Sequence, residues 1–266
     1  MLSIASLNSG SNGNCYYIGN GSEAVLVDAG ISCRETERRM ARLGLSLQSV
    51  KAIFISHEHS DHIRGLEVLS RKHHLPVYIT PKTLHYSGLK LNPDLVRAFN
   101  PYEPVAVGNL LVQPFPKWHD AFDPHSFVVS GNGVSVAILT DIGAVCEHVT
   151  VHFKQCHAAF LETNYDEAML DGGRYPYFLK ERIRGKGGHL SNAQALELFV
   201  RHKPAFMTHV LLSHLSADNN DAQHVYNLFS AHAGHTEVVV APRTQETAVY
   251  RIYAQEYVPM GQQSLF

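Results

Sequence analysis

Short apolar runs recur along the chain, and most of them stop at a polar residue. Ala24-Val25-Leu26-Val27 leads to Asp28, Ala52-Ile53-Phe54-Ile55 to Ser56, and Ser135 to Leu139 to Thr140-Asp141. His157 to Leu161 leads to Glu162, Ala205 to Leu212 to Ser213, and Val238 to Ala241 to Pro242. Such β-branched runs read as buried strands whose C-terminal ends deliver functional side chains to one edge of a sheet. Ser3 to Val27, with Gly19-Asn20-Gly21 as a turn, reads as an antiparallel, hairpin-like start. Helices are predicted over Arg34 to Leu43 behind a Ser32 cap, over Ile63 to His73, and over Asn192 to Lys203, stopping before Pro204. Mixed strands followed by strand–helix alternation imply an α/β sandwich, two mixed sheets packed face to face with helices outside. No repeat of fixed period interrupts it. Residues 1–254 read as one domain and 255–266, with Pro259, Gly261 and Gln262-Gln263-Ser264, as a flexible tail.

A length of 266 residues suits one large α/β sandwich or two small domains. Hydrophobic residues at 45% and charged residues at 17% exclude a disordered or fibrous chain. The net charge of −2 gives no bulk attraction for a nucleic acid, so any such partner needs a local basic patch. Histidine changes the picture: 18 His against 22 Lys and Arg, dispersed rather than in a tag, point to a metal site. The four Cys (Cys15, Cys33, Cys146, Cys156) form no C-x-x-C pair, which argues against a structural zinc site or disulfide scaffold. With no signal-type N-terminus and no window approaching 18 apolar residues, the expected location is the cytoplasm, away from membrane.

The densest chemistry follows the run that ends at Ile55: His57-Glu58-His59-Ser60-Asp61-His62. In an extended or turn conformation His57 and His59 project to one side and can reach one metal ion. Asp61 and His62, a turn later, can face a second. Imidazole and carboxylate without a nearby thiolate suit Zn²⁺ first, with Mn²⁺ or Fe²⁺ as alternatives.

His-x-His-x-Asp-His behind an apolar strand resembles the signature of the metallo-β-lactamase superfamily, and the resemblance extends along nearly the whole chain. It takes in Val27-Asp28-Ala29-Gly30, Trp118-His119-Asp120-Ala121, Thr140-Asp141-Ile142-Gly143 and Ser213-His214-Leu215-Ser216. The resemblance implies an αββα sandwich and two divalent metal ions. His57, His59 and His119 would hold one ion and Asp61, His62 and His214 the other, with Asp141 bridging and Asp28 supporting the ligands from behind. His125 stands close to His119 and competes with it for that assignment.

Gly188-His189-Leu190-Ser191-Asn192 resembles the stretch of ribonuclease Z and related phosphodiesterases in which an extra His assists at the phosphate. Ser9-Gly10-Ser11-Asn12-Gly13-Asn14, Trp118 to Ala121 with Asp123-Pro124, and Leu161-Glu162-Thr163-Asn164-Tyr165-Asp166 complete a resemblance to the YycJ/WalJ-like group of bacterial proteins. That resemblance implies a DNA exonuclease of repair or replication, with DNA favoured over RNA. A hydroxide bridging the two metals would attack phosphorus, with Asp61 and His189 carrying the catalysis. The interval between Asp141 and His189 is too short for the large inserted domain of the β-CASP nucleases. Lys180, Arg182, Arg184 and Lys186 can contact phosphates or form a solvated helix face. Ser11 and Asn12 lie in a loop that can bind an anion or simply join two strands. Two alternatives remain open: a hydrolase of a small ester, thioester or cyclic phosphodiester, and a regulatory module. The second rests on Gln262-Gln263-Ser264-Leu265-Phe266, which resembles the peptide that docks on the bacterial sliding clamp; Gln262, Leu265 and Phe266 would be its anchors.

Overall fold

Antiparallel strands β1 (Leu2–Asn8), β2 (Cys15–Gly19) and β3 (Ala24–Val27) open the computed structural model, which describes residues 1–254. The expected hairpin is therefore a three-stranded meander. Gly19 to Gly21 makes one turn, and Ser9 to Asn14 makes the other. The sheet continues in parallel through β4 (Val50–Phe54), β5 (Val77–Tyr78) and β6 (Val96–Arg97). A second sheet holds β7 (Val105–Val107), β8 (Leu110–Pro116), β9 (His125–Gly131) and β10 (Val134–Leu139), antiparallel to one another in that order. Onto β10 it adds β11 (Ala158–Glu162), β12 (His209–Ser213) and β13 (Glu237–Val240) in parallel. The strand β14 (Tyr250–Ile252) returns to pair with β1, so each sheet has seven strands among the described residues.

Alternation along these strands decides what each face meets. Val25, Val27, Ala52 and Phe54 of the first sheet share one core with Val112, Phe127, Val136, Ile138 and Phe160 of the second. The opposite face of the first sheet, with Leu26 and Ile53, is covered by α1 (Cys33–Arg42) and α3 (Leu66–His73). The opposite face of the second sheet, with Ala137, Leu139 and Leu161, is covered by α5 (Glu147–Phe153), α8 (Asn192–His202) and α9 (Ala222–Ser230). Strands apolar on both faces are what an αββα sandwich requires, and the expectation from the sequence holds.

Two elements differ from the reading of the sequence. The helix expected over Ile63 to His73 is interrupted, with α2 (Ser60–Ile63) separated from α3 by Arg64 and Gly65. Gly65 packs its backbone on the strand-end loop, donating its N–H to the Ala29 oxygen at 2.8 Å. A Cβ there would stand 1.9 Å from the Ile31 oxygen, so only glycine allows the contact. Asp61 and His62 consequently lie in the first turn of α2. The strand expected from Ala205 begins at His209, because Pro204 leads a turn closed by Met207 N–H on the Pro204 oxygen. Three further helices, α4 (Pro81–Ser87), α6 (Glu167–Gly172) and α7 (Tyr177–Arg184), lie in the connections. No helix among the described residues is long and apolar enough to cross a membrane. The tail 255–266, including Gln262, Leu265 and Phe266, lies outside the described residues.

Candidate metal centre

Strand ends build the centre. Asp28 follows β3, Asp141 follows β10, Glu162 closes β11 and His214 follows β12. Asp28, Asp141 and His214 all turn through the left-handed region, at φ 62°, 55° and 57°. Each such turn costs on the order of 1–3 kcal/mol in a non-glycine residue. The chain tolerates it three times, once in the first sheet and twice in the second, and each time a buried polar side chain is turned into the same cluster.

Three imidazoles form one half of the cluster. His57 Nε2 and His119 Nε2 lie 3.1 and 3.3 Å from His59 Nδ1. Nitrogens on a tetrahedral ion with bonds of about 2.0–2.1 Å stand about 3.3 Å apart, so these rings are spaced as ligands. The second nitrogen of His57 is held by Ser56 Oγ at 2.9 Å and that of His119 by the Gly188 oxygen at 3.1 Å. This fixes which nitrogen of each ring faces the centre. Burial lowers both imidazoles, His57 well below its ordinary pKa and His119 to about 3, which keeps them in the neutral form that binds metal.

The other half joins Asp61, His62 and His214. Asp61 Oδ2 lies 3.5 Å from His62 Nε2 and 3.7 Å from His214 Nε2. Asp141 stands between the halves, with Oδ2 3.2 Å from His62 Nε2 and Oδ1 3.8 Å from His119 Nε2. Asp28 Oδ2 accepts from His62 Nδ1 at 2.7 Å, and Asn14 Nδ2 donates to Asp61 Oδ2 at 3.2 Å. His214 Nε2 is buried and makes no hydrogen bond among the described residues, a costly arrangement unless an ion meets it. Burial alone would lower His62 and His214, but the carboxylates prevail. Asp141 leads in both cases, raising His62 well above its usual value and His214 to about 10.

Charge makes the same demand. Asp28, Asp61, Asp141 and Glu162 gather around one buried ammonium, that of Lys117, whose Nζ donates to the Thr140 oxygen at 2.7 Å. Protons on His62 and His214 offset that excess in the metal-free chain, and divalent cations would replace them. His57, His59 and His119 could therefore hold one ion and Asp61, His62 and His214 a second, with Asp141 reaching both. His125, the rival of His119, instead packs edge-on against Phe99, with Nδ1 2.9 Å from the Asp123 oxygen.

His189 sits beside this cluster, one fifth exposed, with Nδ1 2.8 Å from Glu162 Oε1. The same oxygen accepts from His214 Nδ1 at 2.9 Å, so one carboxylate orients a ligand and its neighbour together. Burial would raise Glu162, but His189 and His214 outweigh it and hold the carboxyl at about 2. The position of His189 is fixed by the start of α8, where Ser191 and Gln194 exchange side-chain and backbone hydrogen bonds in a capping box. A cavity of about 220 Å³ opens next to His189 and His214, bounded by Ser11, Asn164, Tyr175 and Arg182.

The four basic residues do not act as one patch. Positions four apart share a helix face and positions two apart do not. Lys180 and Arg184 both turn to Asp171, while Arg182 Nε pairs with Asp120 Oδ2 at 2.6 Å at the cavity wall. Lys186 is exposed, and its backbone oxygen lies close behind Gly143. Ser11 Oγ accepts from Arg243 Nη2 at 3.2 Å, and Asn12 Nδ2 donates to the Arg243 oxygen at 2.6 Å. Sequence reasoning left Glu162, Asn14, Ser56, Lys117 and Arg243 out of the site. Glu162 and Arg243 carried a usable signal, since both follow apolar runs as Asp141 and His214 do.

The model of the β-lactamase superfamily domain matches residues 23–215, an interval that runs from β3 through His214. Exodeoxyribonuclease YycJ of Bacillus anthracis is 37% identical over 223 residues, covering 82% of this chain and 84% of that protein. Exodeoxyribonuclease WalJ of Streptococcus pneumoniae is 32% identical over 220 residues, covering 80% and 81%. The crystal structure of the metallo-β-lactamase fold protein YhfI from Bacillus subtilis superposes with a TM-score of 0.71 at 15% identity, covering 93% of this chain and 99% of that one. That last likeness concerns the fold alone. The chain belongs to the metallo-β-lactamase superfamily, in the group that includes YycJ and WalJ.

Proposed function

We propose that this protein is a metal-dependent DNA exonuclease whose centre is the cluster of His57, His59, Asp61, His62, His119, Asp141 and His214. The observation that carries the reading is the Glu162 carboxylate, which holds His189 and His214 on one oxygen beside an open cavity. Relatives called exodeoxyribonucleases, alike over four fifths of the chain, support DNA as the substrate. When bound, two divalent ions, Zn²⁺ by the chemistry of the donors, would supply Lewis-acid activation of water and of the phosphoryl group.

The chain's own residues do the rest. Asp28, Ser56, Glu162 and the Gly188 oxygen hold the imidazoles of His62, His57, His214 and His119 in one tautomer and one orientation. Asn14 steadies Asp61. His189, anchored at Nδ1, is left with Nε2 for the substrate, where it can hold a proton for the leaving oxygen or stabilise developing charge. Arg182 at the cavity wall offers a guanidinium to the flanking phosphates. A second role, docking on a sliding clamp, would rest on Gln262, Leu265 and Phe266 outside the described residues. Deletion of Leu265 and Phe266 should abolish capture by immobilised clamp and leave cleavage intact.

The test is a panel of 5′- and 3′-labelled single- and double-stranded DNA and RNA with the metal-loaded full-length chain. The expected result is stepwise shortening of DNA from one end, lost in His59→Ala. Activity confined to small esters or thioesters, or cleavage that survives in His59→Ala, would refute the proposal.

A further inference from the structure

Large exposed aromatic rings collect at the mouth of the cleft. Among the described residues, six aromatic side chains are more than half exposed, and five of them lie on three segments near the centre: α4, the loop that carries His119, and α7. Trp118 and Phe122, 55% and 57% exposed, lie on the loop that carries His119. Tyr86 of α4 stacks on Phe122 with centroids 3.4 Å apart and planes at 7°. Phe122 is tied to the metal motif, since its N–H donates to Glu58 Oε1 at 2.9 Å. Joined to that loop by the Arg182–Asp120 ion pair, α7 lines the cavity through Leu179, Arg182 and Ile183 and exposes Tyr177 and Phe178 at 76% and 73%.

An aliphatic protein interface would not call for this composition. Flat rings beside a phosphodiester-cleaving centre match nucleobases, because every base has a π-face and stacking is indifferent to sequence. Tyr86 covers one face of Phe122, and the exposure that remains leaves the other open to continue the stack. A base pair in a duplex offers no such face along its length, whereas an unpaired strand does.

We propose that Phe122 with Tyr86, Trp118, and Tyr177 with Phe178 form a stacking platform that takes the unpaired bases of a single nucleic-acid strand next to the scissile phosphate. This rests on the nuclease reading above and specifies its substrate as single-stranded at the centre. A duplex would have to fray to be cut.

The experiment uses the metal-loaded full-length chain and a cleavage-resistant phosphorothioate oligothymidylate of about fifteen nucleotides, within the span such surfaces cover. Affinity is read by anisotropy and by quenching of Trp118, the single tryptophan of the chain. The strand should bind at least about tenfold more tightly than a blunt phosphorothioate duplex and quench Trp118. Phe122→Ala and Phe178→Ala should each weaken it about tenfold, Phe178→Leu should weaken it equally, and Phe178→Tyr should restore it. Unchanged melting temperatures check that these surface variants fold. An oligouridylate arm separates the sources: a deoxy preference assigns DNA strands, and equal binding extends the platform to RNA, with stacking supported either way. Equal affinity for blunt duplex, or unchanged affinity in the alanine and leucine variants, overturns the platform. So does a dimer that Phe178→Ala dissociates without altering strand binding, which would make the patch a subunit interface. Cleavage of DNA together with unchanged variant affinities removes the platform alone. Strand binding without any DNA cleavage removes the nuclease reading alone.

Discussion

Asp28, His57, Asp141, Glu162 and His214 are buried at or just past strand ends and His62 in the first turn of α2, whereas α7, which lines the adjoining cavity, buries none of its residues. The floor is set by the register of two sheets. A slip of one residue would reverse every side chain, so neither the strands nor the ligands can drift separately. The wall is fastened by ion pairs such as Arg182–Asp120 and Arg184–Asp171, between glycines at 172, 173, 185, 187 and 188. Exposed pairs of this kind contribute about 0–1 kcal/mol each. The chemistry therefore sits on a rigid base, and the surface that meets the polymer is held loosely enough to adjust to it. Substitutions should divide the same way, with floor changes acting on metal and turnover and wall changes acting on affinity.

The largest effect is expected from Asp141→Asn, which removes the one carboxylate reaching both halves of the centre. Metal content should fall towards one ion per chain and turnover by about a thousandfold or more, measured by elemental analysis beside the cleavage rate. Full metal content with normal rate would break the contrast at its strongest point. His189→Ala should keep its metal and lose about 10²-fold in turnover, since His189 borders the floor without ligating; near-normal turnover on a diester would end its assigned role.

A third effect separates the two halves of the floor. His57 and His119 are pushed down and carry no proton to displace at neutral pH. His62 and His214 are pushed up, His214 to about 10, so an ion entering their half must release protons. Affinity of that half should rise with pH by about tenfold per unit for each displaced proton, and fall as pH drops. Calorimetry of metal binding in buffers of different ionisation enthalpy would detect the release. Equal pH dependence of both binding events would remove the distinction. The smallest effect belongs to the wall: Arg182→Ala should raise KM for DNA a few-fold, within the range of an exposed ion contact, with kcat nearly unchanged. A kcat loss as large as that of His189→Ala would place the wall in the chemistry.

The floor could be read from the sequence because its residues carry local signals. An apolar run ends, a polar residue follows, and in His57 to His62 all six positions bear imidazole, carboxylate or hydroxyl groups that a core would not otherwise need. Glu162 has the same local signal, yet its partners stand 27 and 52 positions away and only tertiary packing joins them. Asn14 and Lys117 give even less, since an amide in a glycine-rich loop and a lysine after a strand are ordinary at the surface. Lys117 becomes unusual only once its burial is known. The wall was hardest to read. Lys180, Arg182, Arg184 and Lys186 look like one cluster in the sequence, but helical geometry sends Lys180 and Arg184 to Asp171 and Arg182 to Asp120, and Lys186 lies past the helix end. The exposed rings of Trp118, Phe122, Tyr177 and Phe178 have no pattern in the sequence, because exposure is settled by what the rest of the fold leaves uncovered. Gly65 likewise reveals itself only through the Ile31 oxygen it must clear.

The most direct measurement is a metal titration of the chelated full-length chain while nucleotide release from end-labelled DNA is followed. Release should be absent without metal and should climb to a plateau at two equivalents of divalent ion per chain. Release from the chelated chain, or none at any stoichiometry, would contradict a two-metal exonuclease built on His57, His59, Asp61, His62, His119, Asp141 and His214.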